Sequence, residues 1–277
     1  MAENSHFLRW YELDYRELER YHPDGAKDLL VGKKDGFLVR DVLSQQEAEA
    51  LASCTESLSV NLQFPMPFGF ICGEPLMVSQ ADRKPYFENA RRYRHELIEN
   101  CGFDFDARLV EVFSKLSGQQ EVAIPQSATG DIYGASVIRV IEPHTYGLHA
   151  HSGNEFINEY ESMSELADKA NLYNQLSYFV VLRAPELGGE LCLYDLEWEQ
   201  TPAEVHSNRY PHFSLARDDY FERFEKHYIR PQVGDLIYFA GGRIWHQVCP
   251  VIGLYERITI GGFTSFSNDD KDLYIWS

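Results

Sequence analysis

Positive charge is scarce in this chain: 25 Lys and Arg stand against 43 Asp and Glu, a formal net charge of −18 over 277 residues. Nucleic acids and anionic membranes are bound through a basic face, so neither is expected as a partner, and only a local basic pocket stays open. Long apolar runs are missing too. No stretch approaches the roughly 18 apolar residues of a membrane span, and "MAENSHFLRWYELDY" holds no apolar segment of signal-peptide length; a soluble cytoplasmic protein is expected. The five cysteines (Cys54, Cys72, Cys101, Cys192, Cys249) are odd in number, scattered and without CxxC spacing. They suit reduced, mostly buried thiols rather than a disulfide framework or a zinc knuckle. Repeats and Gly-, Ser- or Pro-rich linkers are also lacking, so one domain is expected over residues 1–277, long enough to bury a core around a dry site.

The first 120 residues read as helix-rich. "DGFLVRDVLSQQEAEALASC" is a short strand leading into a helix whose capping box is Ser44 and Glu47, with Val42, Leu43, Ala48 and Leu51 at helical spacing. "PYFENARRYRHELIENCG" and "DARLVEVFSKLSG" predict two more helices, stopped at Gly102 and Gly118. From about residue 121 the texture changes to β-branched and aromatic runs such as "GASVIRVIE", "QLSYFVVLRAP", "GDLIYFAG" and "RITIGGFTSF", parted by turn residues. The expected class is α+β: a double-stranded β-helix, jelly-roll or cupin-like, with N-terminal helices packed against it. Helical intrusions are expected at 161–173 and 217–228, the latter with Tyr220, Phe221 and Phe224 on one face, and a lid-like insertion at 199–230.

Chemistry concentrates in "GLHAHSGNEF", residues 147–156. A His-x-Asp or His-x-Glu pair closed by a distant His is the triad that holds non-haem Fe(II) with open positions. Here Gly153 stands at the carboxylate spacing after His151, and glycine cannot ligate. The distant histidine is His246 in "IWHQV", a strand that would turn His246 and Trp245 to opposite faces. Arg257 and Thr259 follow on one face of the next strand, where a guanidinium and a hydroxyl can grip a dicarboxylate. That order suits a 2-oxoglutarate oxygenase, with Arg139 the next candidate for the carboxylate. A second reading joins His149, His151, Glu155 and His246 into the three-His, one-Glu set of a cupin-like metal protein.

"HSGNEF", "QLSYFVVLRAPELGGELCLYDLEW", "GDLIYFAGGRIWHQVCPVIG", "RITIGGFTSFS" and "YIWS" resemble the freestanding iron/2-oxoglutarate aliphatic halogenases of hapalindole- and welwitindolinone-type alkaloid biosynthesis. The match is dense from about residue 133 and sparser before it, notably across "LQFPMPFGFICGEPLMV". The resemblance implies Fe(II) held by His151 and His246, chloride beside Gly153, 2-oxoglutarate on Arg257, O₂ as oxidant, Ser177 near the metal in an orienting role, and His149 not a ligand. It further implies a freestanding small-molecule substrate, alkaloid-like or a related metabolite, and no carrier protein. Glycine leaves room for a halide that brings the charge a carboxylate would have brought. A hydroxylase of a small molecule such as an N-acyl amino acid, with Glu155 or water completing the site, is the alternative.

Overall fold

Strands β1 (Trp10–Asp14), β2 (Gly36–Arg40), β3 (Gln63–Met66), β4 (Gly69–Cys72), β5 (Glu121–Ala123), β6 (Val137–Ile141), β7 (Leu148–His151), β8 (Leu176–Arg183), β9 (Leu187–Gly188), β10 (Leu191–Glu197), β11 (Lys226–Ile229), β12 (Leu236–Phe239), β13 (Ile244–Val248), β14 (Val251–Ile252), β15 (Arg257–Phe266) and β16 (Asp272–Trp276) carry the architecture. The structure, a computed structural model, describes residues 8–79, 82–118, 120–157, 161–206 and 219–277. Among these, a large sheet runs β1-β2-β12-β8-β15-β6-β4-β3, extended by β16 on β15 and by β5 on β16, and a smaller sheet runs β11-β10-β13-β7. Helix and sheet are mixed, as the α+β expectation requires.

Helices α1 (Leu18–Tyr21), α2 (Gly25–Leu30), α3 (Gln45–Ser57), α4 (Lys84–Cys101) and α5 (Phe105–Ser114) precede the barrel-like strands. The Ser44 hydroxyl accepts from the Glu47 amide at 3.2 Å, and the Glu47 carboxylate accepts from the Ser44 amide at 2.8 Å, which starts α3 where the sequence placed it. Gly102, at φ +75°, closes α4 by donating its N–H to the Ile98 carbonyl. Helix α5 ends earlier than expected, at Ser114, and Gly118 lies beyond it. The helices bury Leu51, Leu97, Leu109 and Phe113 in one core with the large sheet; the Phe113 ring meets those of Tyr178 and Tyr238 at 5.0 and 4.8 Å.

The first 120 residues are helix-rich as expected and contain the expected strand, β2, which pairs with β12 inside the large sheet, but they also supply β1, β3 and β4. Strand β3 escaped notice because Pro65 lies within it and Pro67 follows it; it is tolerated as the end strand of the sheet order, beside β4 alone. Of the helix expected at 217–228, residues 217 and 218 lie outside the described residues, 219–221 are helical, and Lys226–Ile229 is β11, paired with β10. At 161–173 the helix is confined to a 3₁₀ turn (Glu161–Met163) and one α-turn, α6 (Ser164–Ala167). The described parts of the 199–230 insertion, including α7 (Ala203–His206), pack Val205 and Phe221 onto Trp245, Ala150 and Tyr194. That face of the small sheet is opposite to the one bearing His246, so these described parts brace its back; residues 207–218 of the expected lid lie outside the described residues. The cysteines are free: four are buried and Cys101 is half-buried, its sulfur 2.8 Å from that of Cys54. Among the described residues no helix is long and apolar enough to cross a membrane.

Candidate active site

Between the two sheets lies a cavity of about 210 Å³ into which His151, Gly153, Ser177, His246, Arg257 and Thr259 all open, together with Arg139. The iron, halide and 2-oxoglutarate residues expected from the sequence are thus gathered in one place, whereas His149 and Glu155 of the cupin-like set are not among them. A separate cleft of about 640 Å³ beside Ser44, Arg108 and Glu111 contains none of them.

The two histidines face each other because β13 and β7 pair with His246 opposite His151, and their ring centroids are 4.2 Å apart. Each holds a backbone carbonyl two residues upstream: His151 Nδ1 to His149 O at 2.7 Å, His246 Nδ1 to Ile244 O at 2.8 Å. A carbonyl oxygen only accepts, so Nδ1 carries a proton in both rings, and Nε2 is the atom that offers a lone pair in the neutral form. This fixed tautomer is what a metal-binding imidazole needs. Burial pushes the pKa of His246 down to about 4, with the nearby Arg139 charge acting the same way, so its ring is neutral at ordinary pH.

His149 takes no part. Strict alternation would turn it to the same side as His151, but the register slips between the His151/His246 and Leu148/Val248 pairs. Between these pairs two residues on β7, His149 and Ala150, oppose one on β13, Gln247, and the extra residue rotates His149 away to stack on Tyr146 at 6.0 Å. Glu155 is buried as the closing member of a capping box, its carboxylate accepting from the Ser152 amide at 3.3 Å. Neither residue lines the cavity, and the described residues contain no group of three or more His, Cys, Asp or Glu side chains placed to hold a metal. The four-ligand cupin-like set is therefore not assembled, and Glu155 does not stand in for the missing carboxylate.

Gly153 opens a 3₁₀ turn directly after β7. Its amide donates to Gly241 O at 2.8 Å. A Cβ at this position would lie 2.8 Å from Gln175 Nε2 and 3.1 Å from Gly242 Cα, so close approach also favours glycine here. Ser177 is packed similarly: a Cβ on Gly241 would collide with its hydroxyl. Gln175 and the Gly241-Gly242 pair went unread in the sequence, although "QLSYF" and "AGGR" contain them.

On the opposite wall Arg257 Nη1 donates to Thr259 Oγ1 at 3.4 Å, and the guanidinium lies over Phe179, 5.0 Å from the ring centroid. Arg139 on β6 is directly opposite Thr259, which puts both arginines on one face. Among the described residues neither has a carboxylate partner, and Arg139 Nε is buried with no hydrogen bond. Burial pulls the Arg257 pKa down to about 9, helped by the Arg139 charge, and that of Arg139 to about 10. Two cations without counterions are costly to bury, and a dicarboxylate would relieve both. Met66, Phe68, Met77 and Phe156 add an apolar part of the lining; for the first three, only their location in the poorly matching N-terminal stretch hinted at it.

Residues 7–277 match the family described as carrier-protein-independent halogenase WelO5. The chain belongs to this family. No curated protein matches it. Among solved structures, an N-substituted L-amino acid dioxygenase from Burkholderia ambifaria AMMD is similar over 90% of this chain and 89% of its own, with 17% identity and a TM-score of 0.55. The same enzyme in complex with alpha-KG gives 19% identity and a TM-score of 0.53 over 90% and 89%. A 2OG-Fe(II) oxygenase family oxidoreductase from Burkholderia pseudomallei gives 15% identity, a TM-score of 0.50, and 91% and 93% coverage. These likenesses show the fold, the jelly roll of 2OG-Fe(II) oxygenases. The chain thus combines membership of a carrier-protein-independent halogenase family with the fold of the 2OG-Fe(II) oxygenases. The donor set agrees: two imidazoles ligating through Nε2 suit Fe(II) provided that its other ligands bring negative charge.

Proposed function

We propose that this protein is a halogenase that chlorinates an unactivated aliphatic carbon of a freestanding small molecule, working as a single domain in the cytoplasm without a carrier protein, nucleic acid or membrane. The observation that carries this reading is the pairing of His151 with His246 across two strands, with Gly153 at the position where a carboxylate would complete the triad. His151 and His246 would hold the iron through Nε2. Arg257 and Thr259 would take the distal carboxylate of 2-oxoglutarate, with Arg139 adding a second cation to the same cradle. Gly153 leaves a position for chloride, which restores the single negative charge that the missing carboxylate would have supplied. The bound iron, cosubstrate and O₂ supply the oxidising power that breaks the aliphatic C–H bond. Ser177, fixed against Gly241, presents its hydroxyl to that reaction, and the apolar wall from Phe68, Met77 and Phe156 excludes water and seats the substrate.

An alkaloid-like natural product or related metabolite is the substrate class this resemblance favours. The test is to incubate the iron-loaded enzyme with candidate substrates, 2-oxoglutarate, O₂ and chloride and to read product masses. A chlorinated product whose yield follows added chloride, with bromide able to replace it, supports the proposal. Hydroxylated product alone, even in high chloride, would leave an oxygenase and discard the halogenase.

A further inference from the structure

The turn that carries Gly153 is held from two sides. Its amide and that of Asn154 donate to the carbonyls of Gly241 and Gly242, and Ser152 Oγ donates to Gly242 O at 2.5 Å. From the other side Asn154 Nδ2 donates to Asn174 Oδ1 at 2.8 Å, while the Asn174 amide donates to Asn154 Oδ1 at 2.7 Å. The next residue, Gln175, is 1% exposed. Its side-chain NH₂ makes one long bond, 3.4 Å to Gly153 O, and its carbonyl Oε1 is buried with no partner. An amide so placed retains an unspent donor hydrogen, and buried polar groups are seldom left in that condition without a reason. The NH₂ lies 2.8 Å from where the Cβ of residue 153 would stand. It therefore stands beside the space from which a triad carboxylate would have extended, packed directly behind Gly153, which lines the cavity.

We infer that Gln175 is a halide-binding residue, its side-chain amide donating to the anion that takes the carboxylate's place beside Gly153. This rests on the halide reading of Gly153 and deepens it: the vacancy is a built socket, with a neutral donor aimed into it and a doubly clamped turn fixing its depth. A neutral amide suits the task because it attracts an anion without adding charge next to the iron. It also resists a side chain at position 153, so the same group selects for halide and against a protein carboxylate.

The experiment is a chloride titration of the anaerobic enzyme loaded with Fe(II) and 2-oxoglutarate, followed by the visible metal-to-cosubstrate absorption band, in wild type, Gln175→Leu and Gln175→Glu. Loss of the donor in Gln175→Leu should raise the chloride Kd by about tenfold or more. Gln175→Glu, nearly isosteric and so the safer variant for folding, should raise it further at pH 8 and recover as the new carboxyl is protonated toward pH 5, a pH profile that a purely structural role would not produce. Iron and 2-oxoglutarate affinities should stay within roughly threefold of wild type in both, since the residues proposed to hold them, His151, His246, Arg257 and Thr259, are unaltered. Chloride affinities unchanged in both variants, with iron retained, would overturn the assignment of Gln175 while leaving Gly153 as the halide position. A wild-type enzyme whose absorption ignores chloride would overturn the halide reading and this inference together.

Discussion

A carboxylate restored at position 153 should convert the enzyme from halogenation to hydroxylation, and the structure gives the cost. Aspartate carries the same charge as chloride but is tethered two residues from His151, so it competes for the iron at an effective concentration that dissolved halide cannot match. Chlorinated product should vanish while C–H cleavage continues to hydroxylated product. The difficulty is room. The new Cβ would stand 2.8 Å from Gln175 Nε2 and 3.1 Å from Gly242 Cα. Residue 153 has no positive φ, so backbone strain does not add to this crowding. Overpacking of this kind costs about 1–3 kcal/mol, which for a chain of this size lowers the melting midpoint by roughly 2–4 °C per kcal/mol. Because the closest atom is the end of a side chain, Gln175→Ala in the same molecule should recover much of the loss, a coupling of about 0.5–3 kcal/mol in a double-mutant cycle. Melting curves, iron titration and product masses for wild type, both single variants and the double variant would measure each part. Chlorination by an iron-loaded Gly153→Asp enzyme at wild-type yield would refute the vacancy argument; strictly additive stabilities would refute the packing one.

The other expectations follow from the same geometry. His151→Ala and His246→Ala should each abolish iron binding in an equilibrium titration, because one imidazole cannot hold Fe(II) usefully, whereas His149→Ala should keep the metal. Arg257→Ala, which removes one partner of a buried charge pair worth about 3–5 kcal/mol, should raise the 2-oxoglutarate requirement by two to three orders of magnitude; an unchanged requirement would shift that duty to Arg139. In the metal-free chain the folded pKa of His246, about 4, is below the ordinary 6.5, so on acidification the unfolded state takes up its proton first. Its stabilising contribution is complete above about pH 6.5 and disappears as the pH falls toward 4, a loss of roughly 3 kcal/mol that melting curves across this range would show in wild type and not in His246→Gln.

The chemistry was legible because it is written at short, fixed spacings. His151 and Gly153 are two residues apart, Arg257 and Thr259 likewise, and an extended strand turns such pairs to one side, so the pattern implies the geometry once the strands are recognised. Where it failed, the deciding contact was made by a residue remote in the chain. The helical reading of the first 120 residues missed β3 because prolines argue against a strand unless it has a free edge, and an edge is a property of the assembled sheet. The aromatics Tyr220, Phe221 and Phe224 were grouped correctly as one apolar cluster, yet what they cover, the back of the small sheet at Trp245, could not be read from their own segment. Alternation put His149 with His151, and only a bulge formed against β13 separates them. Gly153 shows both sides of this most clearly. Its spacing declares that a ligand is missing, but what crowds a returning side chain lies in Gln175 and Gly242, 22 and 89 residues further along. A substitution at position 153 alone therefore tests two things at once, and only the double variant with Gln175 separates the chemistry of the vacancy from the packing that maintains it.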